Sequence, residues 1–141
     1  MLSDLASHFD LELAQYCDRN RRISEEAILE RMYDREAHTF HHLWQAKDGT
    51  IKQYPVKTIQ TLFPVLLTSL PAEALQEIIK LLRDEKEFGT KYMIPTVSKS
   101  APEYNPIANT DLLWRGPIWG FTNWFIMEGL DKHGQQYKPS F

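Results

Sequence analysis

The chain has one cysteine, Cys17, in 141 residues. An internal disulfide is therefore excluded, and with it the small secreted folds that depend on such staples. No stretch approaches the ~18 consecutive apolar residues of a membrane span, so no membrane partner is expected. Positive charge is not in excess either: 16 lysines and arginines face 19 aspartates and glutamates, a formal charge of −3. That balance leaves no electrostatic footprint for nucleic acid. The opening decapeptide, Met1 to Asp10, lacks the charged and then apolar order of a secretory signal. These absences predict a soluble, cytoplasmic protein.

What the chain does contain is helical patterning. Leu2, Leu5, Ala6 and Phe9 form a short apolar stripe, and Asp10 is placed to cap a second helix running to about Tyr33. Leu13, Tyr16, Asn20, Ile23, Ala27, Ile28 and Met32 trace one face of it, and the basic run Arg19 to Arg22 reads as a solvated face. Between residues 36 and 54 the pattern changes. Asp48-Gly49 there signals a tight turn between two short strands. His38, His41 and His42 match no zinc spacing, so no metal site is expected. Lys57 to Leu70 reads as a buried helix that Pro64 should kink or begin anew, and Pro71 to Arg83 as an amphipathic helix with Leu75, Ile78, Ile79 and Leu82 inward.

Asp84 to Thr110 is long and irregular, with Tyr92 and Tyr104 expected to anchor it to the core or, with Asn105, to reach a ligand. It leads into Leu112 to Trp124, which holds three of the four tryptophans. Pro117 suits the first turn of a helix, which should run to about Lys132 and stop at Gly134. Within it, Ile118, Phe121, Phe125 and Leu130 should pack on neighbours, with Asn123 and Trp124 interior. Trp114 and Trp119 should then flank the helix mouth with Arg115 between them. Indole faces pack on the C–H faces of sugars, and a guanidinium fork bonds hydroxyls or carboxylates. On residue types alone a second reading stays open: tryptophans at a helix start are commonly core, and Arg115 has a ready partner in Asp111.

Trp114-Arg115-Gly116-Pro117-Ile118-Trp119 resembles the signature of the six-hairpin-toroid glycosidases, specifically glycoside hydrolase family 63 and the mannosylglycerate hydrolase-like group. Thr61-Leu62-Phe63-Pro64, the helix from Pro71 to Asp84, Phe88-Gly89-Thr90 and Ile94-Pro95-Thr96-Val97-Ser98 follow in the order usual there, so the resemblance covers roughly residues 24 to 134. Leu113 stands where the family commonly has an aromatic residue, and Gly120 where a larger apolar one is usual. The resemblance implies a mainly α fold, helical hairpins forming part of an (α/α)6 toroid, and the pattern near 36–54 adds a short β-hairpin or extended segments. A complete toroid needs about twelve helices of ~11–12 residues, so residues 1–141 are expected to be a single partial domain.

The implied function is a share in an inverting α-glycoside hydrolase that acts on a saccharide or glycoside and requires no cofactor. Trp114, Arg115 and Trp119 would line the sugar site. Inversion takes two carboxyl groups ~6.5–9.5 Å apart, and in the family both lie outside the matching stretch. Glu103, Asp111 and Glu128 are nearest the motif, but none falls in an acid or base motif, so no catalytic residue is assigned. Apolar faces left uncovered in a partial toroid would favour self-association. From a different class, the chain could instead be a small all-helical interaction module with an aromatic core.

Overall fold

The computed structural model describes residues 2–92, 94–107 and 114–136. The chain divides into two compact units, Met1–Tyr33 and Asp34–Phe141.

The first unit is a helical hairpin, α1 (Leu2–Ser7) and α2 (Leu11–Arg31). Asp10 caps α2 as its sequence position predicts, its carboxylate accepting from the Leu13 amide at 3.0 Å. The buried positions described are Ala6, Ala14 and Glu25. The predicted α2 stripe does not hold as a buried face, because Leu13, Tyr16 and Ile23 are exposed. Six-residue α1 is too short to cover a 21-residue partner. The basic run is also more than a solvated face. Asp18 bonds both Arg21 and Arg22, and Arg21 reaches Glu25 one turn on.

Across the division lies β1 (Tyr33–Asp34), followed by β2 (Thr39–Phe40), β3 (His42–Gln45) and β4 (Ile51–Tyr54). The last two pair antiparallel with His42 opposite Tyr54 and Gln45 opposite Ile51. Gly49 takes the positive φ (85°) of the tight turn, and Asp48 Oδ1 accepts from both the amide and the hydroxyl of Thr50. The expected hairpin is therefore present.

Ile59–Leu66 is a 3-10 helix, where a kinked α-helix was expected. Its i to i−3 pattern shows at both ends, in Thr61 N to Thr58 O and Leu67 N to Pro64 O. With three residues per turn, Ile59, Leu62 and Val65 stack on one line, and all three are at most 1% exposed. Against that line packs α3 (Ala72–Arg83), through Leu75, Ile78 and Leu81, joined by Phe88, Ile94 and Ile126 to form the core.

The last helix, α4 (Gly120–Gln136), starts three residues later than Pro117 and runs through Gly134. Pro117 and Ile118 are used otherwise: Ile118 bridges Pro95, and the Pro117 carbonyl accepts from Thr96 N. A good N1 proline is overridden here by bridging to a distant extended segment. The α4 face that faces inward is Thr122, Asn123, Ile126, Gly129 and His133, which leaves Trp124, expected inside, 56% exposed. Phe121, Phe125 and Ile118 are exposed as well, while Phe125 still meets the Phe63 ring edge-on at 5.9 Å, the neighbour contact expected of it. At Gly129 the helix lies so close to Val65 that an added Cβ would stand 2.5 Å from its Cγ1. His133 Nε2 donates to the Val65 carbonyl at 3.0 Å, satisfying an acceptor orphaned at the 3-10 helix end.

Candidate functional site

Ile94–Ser98 is buried throughout and is the base on which the aromatic motif is built. On one side, Ile59 N donates to Thr96 O and Ser98 N to Lys57 O, both at 2.9 Å. On the other, Thr96 N donates to Pro117 O at 3.3 Å, and Gly116 N donates to Thr96 Oγ1 at 2.9 Å. Gly116 has φ of 150°, and a Cβ there would sit 2.6 Å from the Asn105 carbonyl oxygen. Only glycine fits that approach. The Asn105 amide in turn donates to Arg115 O.

Asn123 fastens the other end. Its Oδ1 accepts from Ile94 N at 2.8 Å, and its Nδ2 donates to Ile94 O and to Trp119 O at 2.9 and 3.0 Å. The expected structural role for this side chain is present. Both polar atoms of the amide have backbone partners, which a buried amide requires.

Held in this way, Trp114 and Trp119 do not flank the helix mouth separately. They stack, with ring centroids 5.1 Å apart and planes inclined by 9°. Phe121 meets both edge-on, at 6.1 and 6.0 Å. Such contacts are worth roughly 0.5–1.5 kcal/mol each beyond area burial. The cluster is not sealed into a core: Trp114 is 47% and Phe121 53% exposed, and Arg115 is exposed beside them. Chemically this is a partly exposed apolar platform, with a cationic residue adjoining Trp114 in the chain. The predicted Asp111 partner of Arg115, and Leu113, lie outside the described residues.

Two loop tyrosines diverge. Tyr104 is half-buried, whereas Tyr92 is 71% exposed with the Lys91 ammonium over its ring, so it anchors nothing to the core. Glu103 Oε2 is shut off from solvent without a hydrogen-bond partner. The three histidines separate. His41 approaches Asp34 at 3.6 Å, His42 bonds Thr58 Oγ1 at 2.8 Å, and His38 is exposed. Burial, with the nearby His41, holds the His42 pKa below its ordinary value. Among the described residues no group of three or more His, Cys, Asp or Glu side chains could hold a metal ion.

Residue reasoning did not single out Glu87, which ties the irregular segment together. It accepts from Lys57, Ser98 and Ser100. Burial opposes its charge, yet these donors together hold its pKa below the ordinary glutamate value. In the sequence Thr96 carries no signal beyond its place in the run Ile94-Pro95-Thr96-Val97-Ser98.

A family model described as the mannosylglycerate hydrolase MGH1-like glycoside hydrolase domain matches residues 1–139. The chain belongs to that family. This MGH1-like domain is 31% identical over 111 residues to the mannosylglycerate hydrolase of Thermus thermophilus, a match covering 77% of this chain and 24% of the relative. It is 30% identical over 126 residues to a probable mannosyl-oligosaccharide glucosidase of Schizosaccharomyces pombe, covering 88% of this chain and 12% of that one. The crystal structure of a family-63 mannosylglycerate hydrolase from Thermus thermophilus in complex with glucose superposes with a TM-score of 0.65. That match has 24% identity and covers 94% of this chain and 31% of the other. The domain thus has the helical fold expected of it, with a few short strands. It spans about a quarter or less of the length of these curated relatives. No helix among the described residues is long and apolar enough to cross a membrane.

Proposed function

We propose that these residues are one part of an inverting α-glycoside hydrolase of the (α/α)6 toroid type, supplying a wall of its sugar site and not its proton-transfer groups. The observation that carries this reading is the parallel Trp114–Trp119 pair, with Trp114 exposed, Trp119 half-buried and Arg115 exposed next to Trp114 in the chain. A sugar ring laid on the outer indole face buries its C–H groups, and the guanidinium takes a hydroxyl or carboxylate at the ring's edge. The carboxyl pair that inversion demands then belongs to the remainder of a longer protein, for which the relatives' lengths leave ample room. The lone cysteine of these 141 residues suits a reducing, cytoplasmic setting.

Tryptophan emission under titration with glucose and methyl α-mannoside tests the reading. A saccharide-dependent change, lost in Trp119→Ala, is expected, and no turnover of aryl α-glucosides or α-mannosides. Turnover abolished by Asp111→Asn or Glu128→Gln would overturn it. One observation favours a second reading, in which α4 is a protein-binding face: Phe121, Trp124, Phe125 and Met127 are all exposed on it. Silence toward sugars, with a mass that rises with concentration, would favour that reading and the self-association it entails.

A further inference from the structure

The Trp114–Trp119 stack is an arrangement of five consecutive peptide units, and nothing in those units alone makes two indoles lie parallel. Trp119 is fixed from its own carbonyl, which accepts from Asn123 Nδ2 and from Thr122 Oγ1 at 2.8 Å. Among the described residues no side chain clamps the Trp114 main chain in this way, and Trp114 is carried by the turn at Arg115 and Gly116. That turn is held, among the described residues, by Asn105 N to Arg115 O and by Gly116 N to Thr96 Oγ1.

Of these, the second falls to a side chain. Both main-chain polar groups of Thr96 are already engaged, its carbonyl by Ile59 N and its amide by Pro117 O. Only its hydroxyl remains to meet the Gly116 amide. Thr96 is 1% exposed and Gly116 is buried, so water cannot take the hydroxyl's place. The positive φ of Gly116, with the Asn105 carbonyl oxygen 2.6 Å from where a Cβ would stand, reserves that turn position for glycine.

We infer that Thr96 is a positioning residue for the sugar platform: its buried hydroxyl sets the Gly116 turn and thereby holds Trp114 parallel to Trp119. The inference rests on the sugar-site reading for its functional consequence but not for its geometry, so the two can fail separately. Thr96→Val keeps the β-branched shape and removes the acceptor; Thr96→Ser keeps the acceptor.

The test, on the full chain, reads the exciton couplet of the stacked indoles by far-ultraviolet circular dichroism, then tryptophan emission against methyl α-mannoside. Thr96→Val should lose the couplet and bind the mannoside at least about tenfold more weakly; Thr96→Ser should restore both. The core variant Ile126→Val, at comparable thermal stability, should keep the couplet. A couplet unchanged in Thr96→Val, or lost equally in Ile126→Val, overturns the inference. If Thr96→Val does not fold, amide hydrogen exchange of the unaltered chain decides: Gly116 N–H exchanging as fast as an exposed loop amide overturns it, and strong protection supports it. A couplet that follows Thr96 in a chain that no sugar perturbs would leave the inference standing and remove the sugar-site reading.

Discussion

Gly129 and Gly134 lie on the same helix, and the structure assigns opposite signs to the same substitution at each. Replacing a helical glycine by alanine gains about 0.8–1.0 kcal/mol in an open setting. At Gly134 nothing stands within 4 Å of an added Cβ, so Gly134→Ala should stabilise, by roughly 0.5–1 kcal/mol so near the helix end. At Gly129 the added atom meets Val65 Cγ1 at 2.5 Å and the Val65 carbonyl oxygen and carbon at 2.8 and 2.9 Å. A side chain can turn away; a carbonyl in the 3-10 helix can move only if the helix moves, and Leu62 and Val65 are locked in the core. Overpacking of this kind costs roughly 1–3 kcal/mol, and the contact with main chain puts it near the upper end. Net of propensity, Gly129→Ala should destabilise by about 1–2 kcal/mol. All four tryptophans fall in the second unit, so urea unfolding followed by tryptophan emission reads the affected part. Gly129→Ala with a midpoint at or above the parent's, or both variants shifting in one direction, would refute the packing described between α4 and the 3-10 helix.

The Glu87 carboxylate has its pKa lowered from the ordinary 4.5, so its stabilisation is fully present above about that value and is lost as pH falls through the lower folded-state value. Acid titration of the unfolding midpoint should show this loss in the parent and a flatter profile in Glu87→Gln; equal slopes would contradict it. Asn123→Ala strips the Ile94 amide and carbonyl of their buried partner and should cost about 2–4 kcal/mol, more than one ordinary hydrogen bond, measured as a fall in the urea midpoint. A loss under about 0.5 kcal/mol would mean the amide is not an anchor.

Local rules carried the sequence a long way where the elements are local. The Asp10 cap, the Asp48-Gly49 hairpin and the amphipathic face of α3 each follow from a few adjacent residues, and each is present. Ile59, Leu62 and Val65 are spaced by three, the signature of a 3-10 line, but an apolar run this dense fits a 3.6-residue helix almost as well. Pro117 was misleading because Ile118 pairs with Pro95, 23 positions away in sequence. The aromatic motif was legible as chemistry and not as geometry. That its two indoles stack follows from a turn fixed by Thr96 and Asn105, neither of which belongs to the motif. Trp124 shows the same limit: its burial depended on which face α4 turns inward, and the close approach at Gly129 decided that.

The claim that a sugar lies on the Trp114–Trp119 platform is tested most directly by indole N–H resonances, one for each of the four tryptophans, in a nitrogen-15 correlation spectrum titrated with methyl α-mannoside. The Trp114 and Trp119 signals should move together and saturate while those of Trp44 and Trp124 stay in place. Stationary Trp114 and Trp119 signals, or shifts confined to Trp44 or Trp124, would contradict the claim.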